Sequence, residues 1–185
     1  VHCGGLVRGD KAALFLAVDD GGKSTALKLA PDGFVLSDDQ VIVRREADRF
    51  LAHATPLGLV TDGPGQAPVG ALFVLEKAPR FGIERIRPAD LVRAFWEDPG
   101  NYTRLLAKEL KLQAFDLFHE LCHQVPVYRM SFPKDHVDWE AVDAAMVVTL
   151  ARRLGNRVAV SRIRIASLPS CGAPSRCRLE ARTYG

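Results

Sequence analysis

Five consecutive residues, Gly21-Gly22-Lys23-Ser24-Thr25, are of the types that hold a phosphate group. Glycines let the backbone approach an anion closely, and successive N–H groups at the start of a helix supply positive potential. A lysine placed directly after them reaches the β- and γ-phosphates of a nucleotide, and the following hydroxyl offers an oxygen to Mg²⁺. The pattern for this work is G-x-x-x-x-G-K-[ST] between a buried strand and a helix. Here Ala17 stands where the first glycine belongs, and Asp19 and Asp20 bring negative charge into the loop, which opposes phosphate binding. Gly21, Gly22, Lys23, Ser24 and Thr25 are the candidate nucleotide-binding residues, with ATP and Mg²⁺ as the implied cofactors.

A second group follows about fifteen residues later. Ser37-Asp38-Asp39 closes a short apolar run, Phe34-Val-Leu, that reads as a strand. In open α/β sheets ligands bind at the carboxyl ends of strands, so the pair falls where a ligand is expected. One of Asp38 and Asp39 would help hold Mg²⁺ beside Ser24. The other would accept a proton from an attacking hydroxyl. Residue types alone do not say which does which.

A third motif competes with these. His119-Glu-Leu-Cys-His123 fits H-E-x-x-H, in which two histidines one helical turn apart bind zinc and the glutamate activates water. At about 100° per residue, however, the histidines fall opposite Leu106, Leu110, Leu117 and Leu121, on a side shared with Lys108 and Asp116. That side reads as solvated. No Gly-x-x-His extension supplies a third ligand before Pro126 ends the helix.

The elements that must position these residues can be read from apolar runs and their breakers. Residues 1–8 and 11–18 read as two strands around Arg8-Gly9-Asp10, the second buried on both faces. A helix spans about 23–30 and stops at Pro31-Asp32-Gly33. Short strands follow at 34–37, 41–43 and 50–52, a Gly/Pro-rich surface loop at 61–68, and a buried strand at 69–75. Pro88 opens a short helix, Asn101 caps a longer one running to about Gln124, residues 126–132 form a strand, and 138–154 form a last amphipathic helix. A strand over 158–165 and a loosely attached, arginine-bearing tail complete the expectation: one domain over 1–155 with a basic extension over 156–185.

Composition suits a soluble domain with a substantial core: 48% of the 185 residues are apolar and 25% are charged. A net charge of +3 implies no nucleic-acid partner. No apolar run reaches the ~18 residues of a membrane span, and no charged-then-apolar leader is visible. Cys3, Cys122, Cys171 and Cys177 form no C-x-x-C pair, so reduced thiols and a cytoplasmic setting are expected. The chain begins with Val, as a fragment or an alternative start would.

Taken in order, His2, Gly22-Lys23-Ser24-Thr25, Val35-Leu-Ser-Asp38-Asp39-Gln-Val41, His53-Ala-Thr55-Pro56, Phe73-Val-Leu-Glu76-Lys77 and Pro126-Val-Tyr-Arg-Met130 resemble the HPr kinase-related family. The resemblance runs from residue 1 to about 132. It implies an α/β fold with a mixed central sheet, a P-loop and flanking helices, like the phosphoenolpyruvate carboxykinase and HPr kinase C-terminal domains. It also implies ATP- and Mg²⁺-dependent phosphorylation of a serine or other hydroxyl on a protein, peptide or small molecule. His2 matches a histidine near the transferred phosphate, and His53 and Thr55 match a motif more loosely tied to the site. A homo-oligomer is a further implication. The Arg-rich signature of the bifunctional kinase/phosphorylases is missing, so neither the reverse reaction nor HPr as substrate is implied. Two other readings stay open on the residues: a zinc metallopeptidase at His119-Glu120-His123, and a nucleotide-binding module whose acidic loop has lost catalysis.

Overall fold

A computed structural model describes residues 1–97 and 102–153. The proposed cap Asn101, the strand expected over 158–165, Cys171, Cys177 and the extension 156–185 lie outside the described residues.

The fold is mixed α/β, built on an eight-stranded sheet. Its spine is β6 (Gln66–Lys77), twelve residues long. Along one edge of β6 runs β2 (Lys11–Leu16), parallel to it, from Ala12 opposite Val69 to Leu16 opposite Val74. Outside β2 lie β1 (Gly4–Arg8) and then β3 (Phe34–Ser37), each antiparallel to its neighbour, so β3 points the same way as β2. The other edge of β6 is shared. Its first residues pair with β5 (Arg49–His53), which carries β4 (Ile42–Glu46) outside it. Its last residues pair in parallel with β8 (Val127–Phe132), which carries β7 (Gly82–Arg85). The carboxyl ends of β2, β3, β6 and β8 therefore share one side of the sheet.

Strand alternation divides the core into two layers. Leu14, Leu16, Leu72 and Val127 join Leu91 and Val92 of α2 (Pro88–Glu97) and Phe118, Leu121 and Cys122 of α3 (Lys108–Gln124). The intervening residues, Ala13, Phe15, Phe73 and Met130, join Ala26 and Leu27 of α1 (Lys23–Lys28) and Trp139, Val142 and Met146 of α4 (Trp139–Arg153). Within this second layer Phe15 stacks on Phe73 at 5.4 Å, Phe73 on Tyr128 at 5.5 Å, and Trp139 meets Phe15 edge-on at 6.0 Å. Burying one such ring stabilises by up to about 3 kcal/mol, which explains why β2 and β6 can be apolar on both faces. Among the described residues, no helix is long and apolar enough to cross a membrane.

Three expectations need correction, and one strand was not expected at all. The helix expected to run unbroken to Gln124 is interrupted: Tyr102–Leu105 form a 3-10 turn, and Ala107, extended at ψ 155, starts α3 only at Lys108. The leucines expected on its buried side mostly face solvent, because Leu106, Leu110 and Leu117 are exposed while Phe118, Leu121 and Cys122 make the packing face. The loop expected over 61–68 gives way to β6 at Gln66. Finally, β7 is a strand that its single apolar residue, Ile83, does not announce. The remaining strands and helices fall within a few residues of the expected bounds.

Candidate active site at the carboxyl ends of the strands

The loop after β2 turns tightly, with the Gly21 N–H donating to the Val18 carbonyl at 2.9 Å. Gly22 precedes α1 with φ 102, a left-handed conformation that a Cβ would strain. Asp20 is also left-handed, at φ 58. Lys23 opens α1 and is buried, with its Nζ donating to the loop's own carbonyls at Ala17 (3.0 Å) and Val18 (3.4 Å).

Ser37 ends β3 and organises the acidic pair. Its buried hydroxyl donates to the Leu57 carbonyl at 2.7 Å and accepts from the N–H groups of Asp39 (3.2 Å) and Gln40 (3.0 Å). This turn, closed by a serine side chain, splays the two carboxylates apart. Asp38 then reaches Ser24, whose hydroxyl donates to Asp38 Oδ2 at 3.0 Å. The other oxygen, Asp38 Oδ1, accepts from the Leu59 N–H at 2.7 Å. Gly58, at φ 77, presses so closely on that oxygen that a Cβ there would collide with it.

Asp39 faces His2. Residues 1–3 run antiparallel beside 39–41, with the Cys3 N–H donating to the Asp39 carbonyl at 2.9 Å and His2 bridging to Gln40. The largely buried His2 ring thereby sets its Nε2 3.3 Å from Asp39 Oδ1 and 3.5 Å from Asp19 Oδ1. Asp39 is half exposed and Asp19 almost fully so.

The 19–25 loop, Asp38, Asp39 and Lys77 line a cleft of about 740 Å³, which His2 adjoins through Asp39 and Asp19. That volume lies in the range of small-molecule sites. A smaller cavity of about 320 Å³ adjoins it, sharing Gly22, Thr25 and Lys77 and adding Pro79, Phe132 and Pro133. The structure thus brings together Gly21 through Thr25, Asp38 with Asp39, and His2 from three separate stretches of chain. Thr55 is buried and donates to the Gln40 carbonyl at 2.6 Å, so it supports the turn from behind. His53 points instead toward Glu46, 3.8 Å away across the β4–β5 pair.

No protein-family model matches the sequence. No curated protein matches it. Among solved structures, the Hpr(Ser) kinase/phosphatase from Coxiella burnetii is similar to this chain, with a TM-score of 0.39 and 14% identity over 84% of this chain and 90% of that one.

Two contributors were not singled out from residue types. Lys77 lies in the cleft because β6 is parallel to β2, so its carboxyl end emerges beside the glycine loop. A lysine ending a buried strand is the signal that would have flagged it. The Gly58-Leu59 backbone that holds Asp38 carries no such signal, since nearly every position offers an amide.

The H-E-x-x-H residues sit elsewhere, on α3. His119 and His123 are exposed, as the helical projection expected. The Glu120 carboxylate is engaged by Arg45, at 3.0 and 2.9 Å, and by Gln124, at 3.0 Å.

Proposed function

We propose that this chain is an ATP- and Mg²⁺-dependent phosphotransferase, related to the HPr kinases, that phosphorylates a hydroxyl on a protein, peptide or small molecule, most simply a serine. The observation that carries the reading is the Ser24–Asp38 contact: Oγ and Oδ2 are 3.0 Å apart, one residue from Lys23. Two hard oxygens at that separation suit Mg²⁺, whose octahedron has neighbouring oxygens about 2.9 Å apart. Bound there with ATP, Mg²⁺ would offset charge on the β- and γ-phosphates.

The chain's own residues do the rest. Lys23 exchanges its two loop carbonyls for phosphate oxygens, a stronger, charge-assisted pairing. Lys77, across the cleft, adds a second positive charge. Asp38, pinned through Oδ1 by Leu59, presents Oδ2 to the metal position without reorganising. Asp39 is left to take the proton of the acceptor hydroxyl, and His2, 3.3 Å away, holds its carboxylate in orientation.

A second reading is favoured by one specific observation. Asp19 and Asp20 both line the cleft. Their charge opposes that of phosphate, as in a nucleotide-binding module without turnover. Calorimetric titration with ATP and Mg²⁺, wild type beside Lys23→Ala, tests the common ground: binding is expected in the first and lost by at least about tenfold in the second. Equal binding by both would sink the nucleotide role. Turnover separates the two readings: the kinase reading expects ATP consumption by the wild type that vanishes in Asp39→Asn while nucleotide binding survives, and the module reading expects none in either.

A further inference from the structure

The H-E-x-x-H residues that the proposed phosphotransfer leaves unused carry a separate inference. His119 and His123 lie one turn apart on the exposed side of α3, so their side chains rise from the same face. Their Nε2 atoms are 3.1 Å apart, with ring centroids at 4.4 Å and planes inclined by 52°. Neutral imidazoles can share one proton at that separation. Two nitrogens 3.1 Å apart also span the coordination sphere of a single cation. With metal–nitrogen bonds of about 2.05 Å they subtend about 100° at the metal, between octahedral and tetrahedral angles. The His119 ring has an aromatic neighbour on its other side. His119 stacks on Phe115 at 6.1 Å and 19°, and Phe115 is itself met edge-on by Trp96 at 5.2 Å.

We propose that His119 and His123 form a two-histidine chelate for a late first-row divalent cation, Zn²⁺, Ni²⁺ or Cu²⁺, with water completing the coordination. Imidazole pairs select these borderline cations over Mg²⁺ and Ca²⁺, which take oxygen ligands. The site is a binding site rather than a hydrolytic one. Glu120, the residue that would activate water in a peptidase, is held by Arg45 and Gln124. Among the described residues, no group of three His, Cys, Asp or Glu side chains is placed to hold a metal. The chelate also stands apart from the nucleotide cleft: α3 packs on one face of the sheet and α1 on the other.

The test is titration of tag-free protein with ZnCl₂ and, separately, NiCl₂ in the presence of excess Mg²⁺. One equivalent should bind saturably below about 1 mM metal. Both His119→Ala and His123→Ala should weaken it at least about tenfold, while Glu120→Gln and Lys23→Ala should leave it in place. Cu²⁺ should quench the emission of Trp96 in a Trp139→Phe background, and His123→Ala should abolish that quenching. All these variants except those at Lys23 and Trp139 alter side chains on the surface of α3, and circular dichroism checks that each is folded. Absence of saturable binding up to about 1 mM metal, or binding that persists in both histidine variants, would overturn the proposal.

Discussion

Asp20 combines two penalties in one side chain. Its φ of 58 is a conformation that disfavours an L-residue by about 1–2 kcal/mol, and its carboxylate lines the cleft proposed for phosphate. Glycine at this position removes both, although it also loosens the unfolded chain. Asp20→Gly should therefore stabilise the fold by about 0.5–1 kcal/mol and tighten ATP roughly fivefold. Asp20→Asn, which keeps tolerance of the left-handed region but drops the charge, should tighten ATP by a similar factor with little change in stability. Urea midpoints and nucleotide titrations on the two variants would separate strain from charge. Lower ATP affinity in both would mean that the carboxylate assists binding. At this scale the sequence was most informative where chemistry is local: Gly22, Lys23 and Ser24 announce themselves by adjacency, and Ser37 is recognisable as a turn residue before two aspartates. It was silent on how the surroundings of Asp38 and Asp39 differ, because Leu59 donates to Asp38 across twenty-one positions.

Elements are tied together by a few long contacts, of which Arg8 makes the most specific. At the end of β1 its guanidinium donates in parallel to Asp143 on α4, at 2.7 and 2.6 Å, while also bonding to Asp32 and lying 5.2 Å over the Trp139 ring. The hydrogen bonds to Asp143 raise the Arg8 pKa above its ordinary value. One planar group thus links β1 to the turn after α1 and to α4. Asp143→Ala should lower stability by about 1–2 kcal/mol, seen as a shifted urea midpoint at unchanged slope. Arg8→Lys should lose nearly as much, because an ammonium cannot form the paired bonds or cover the indole ring. Full recovery in Arg8→Lys would show that only charge matters here. The elements themselves were legible when apolar runs had sharp ends, as for β2 between Gly9 and Gly21. They were missed where tertiary pairing outweighs pattern: β7 has one apolar residue and exists because β8 offers it an edge. The leucines of α3 misled for the converse reason, since regular spacing does not say which face a helix will bury.

At the scale of the whole molecule, one layer of the core encloses two thiols. Cys3 and Cys122 are both buried there, and desolvation pushes them up, to about 11 and about 12 from an ordinary 9.0. Folded protein therefore keeps both protons where the unfolded chain gives them up. The resulting stability is fully present below pH 9.0 and is lost as pH rises toward the folded values. Denaturation midpoints should fall progressively above pH 9.0, and Cys122→Ala should flatten that fall. In a Cys171→Ser, Cys177→Ser background, thiol reagents should modify the native protein slowly at about pH 8 and the urea-unfolded protein at once. Rapid labelling of the native form would contradict this burial.

The loop between β5 and β6 does more than hold Asp38. Thr61 exchanges backbone and side-chain hydrogen bonds with Val35, and the Thr55 N–H donates to the Leu36 carbonyl, so the loop occupies groups along the outer side of β3. An uncovered strand edge is a template for joining another chain. The opposite margins of the sheet carry charge instead, at Arg44, Arg45 and Glu46 on β4 and Glu84 and Arg85 on β7. The β3 margin, Phe34-Val-Leu-Ser37, has none. A segment selected only to orient a carboxylate could be loosened with little consequence. This one is tied twice, because the stretch that holds Asp38 through Leu59 also covers an apolar strand edge through Thr55 and Thr61.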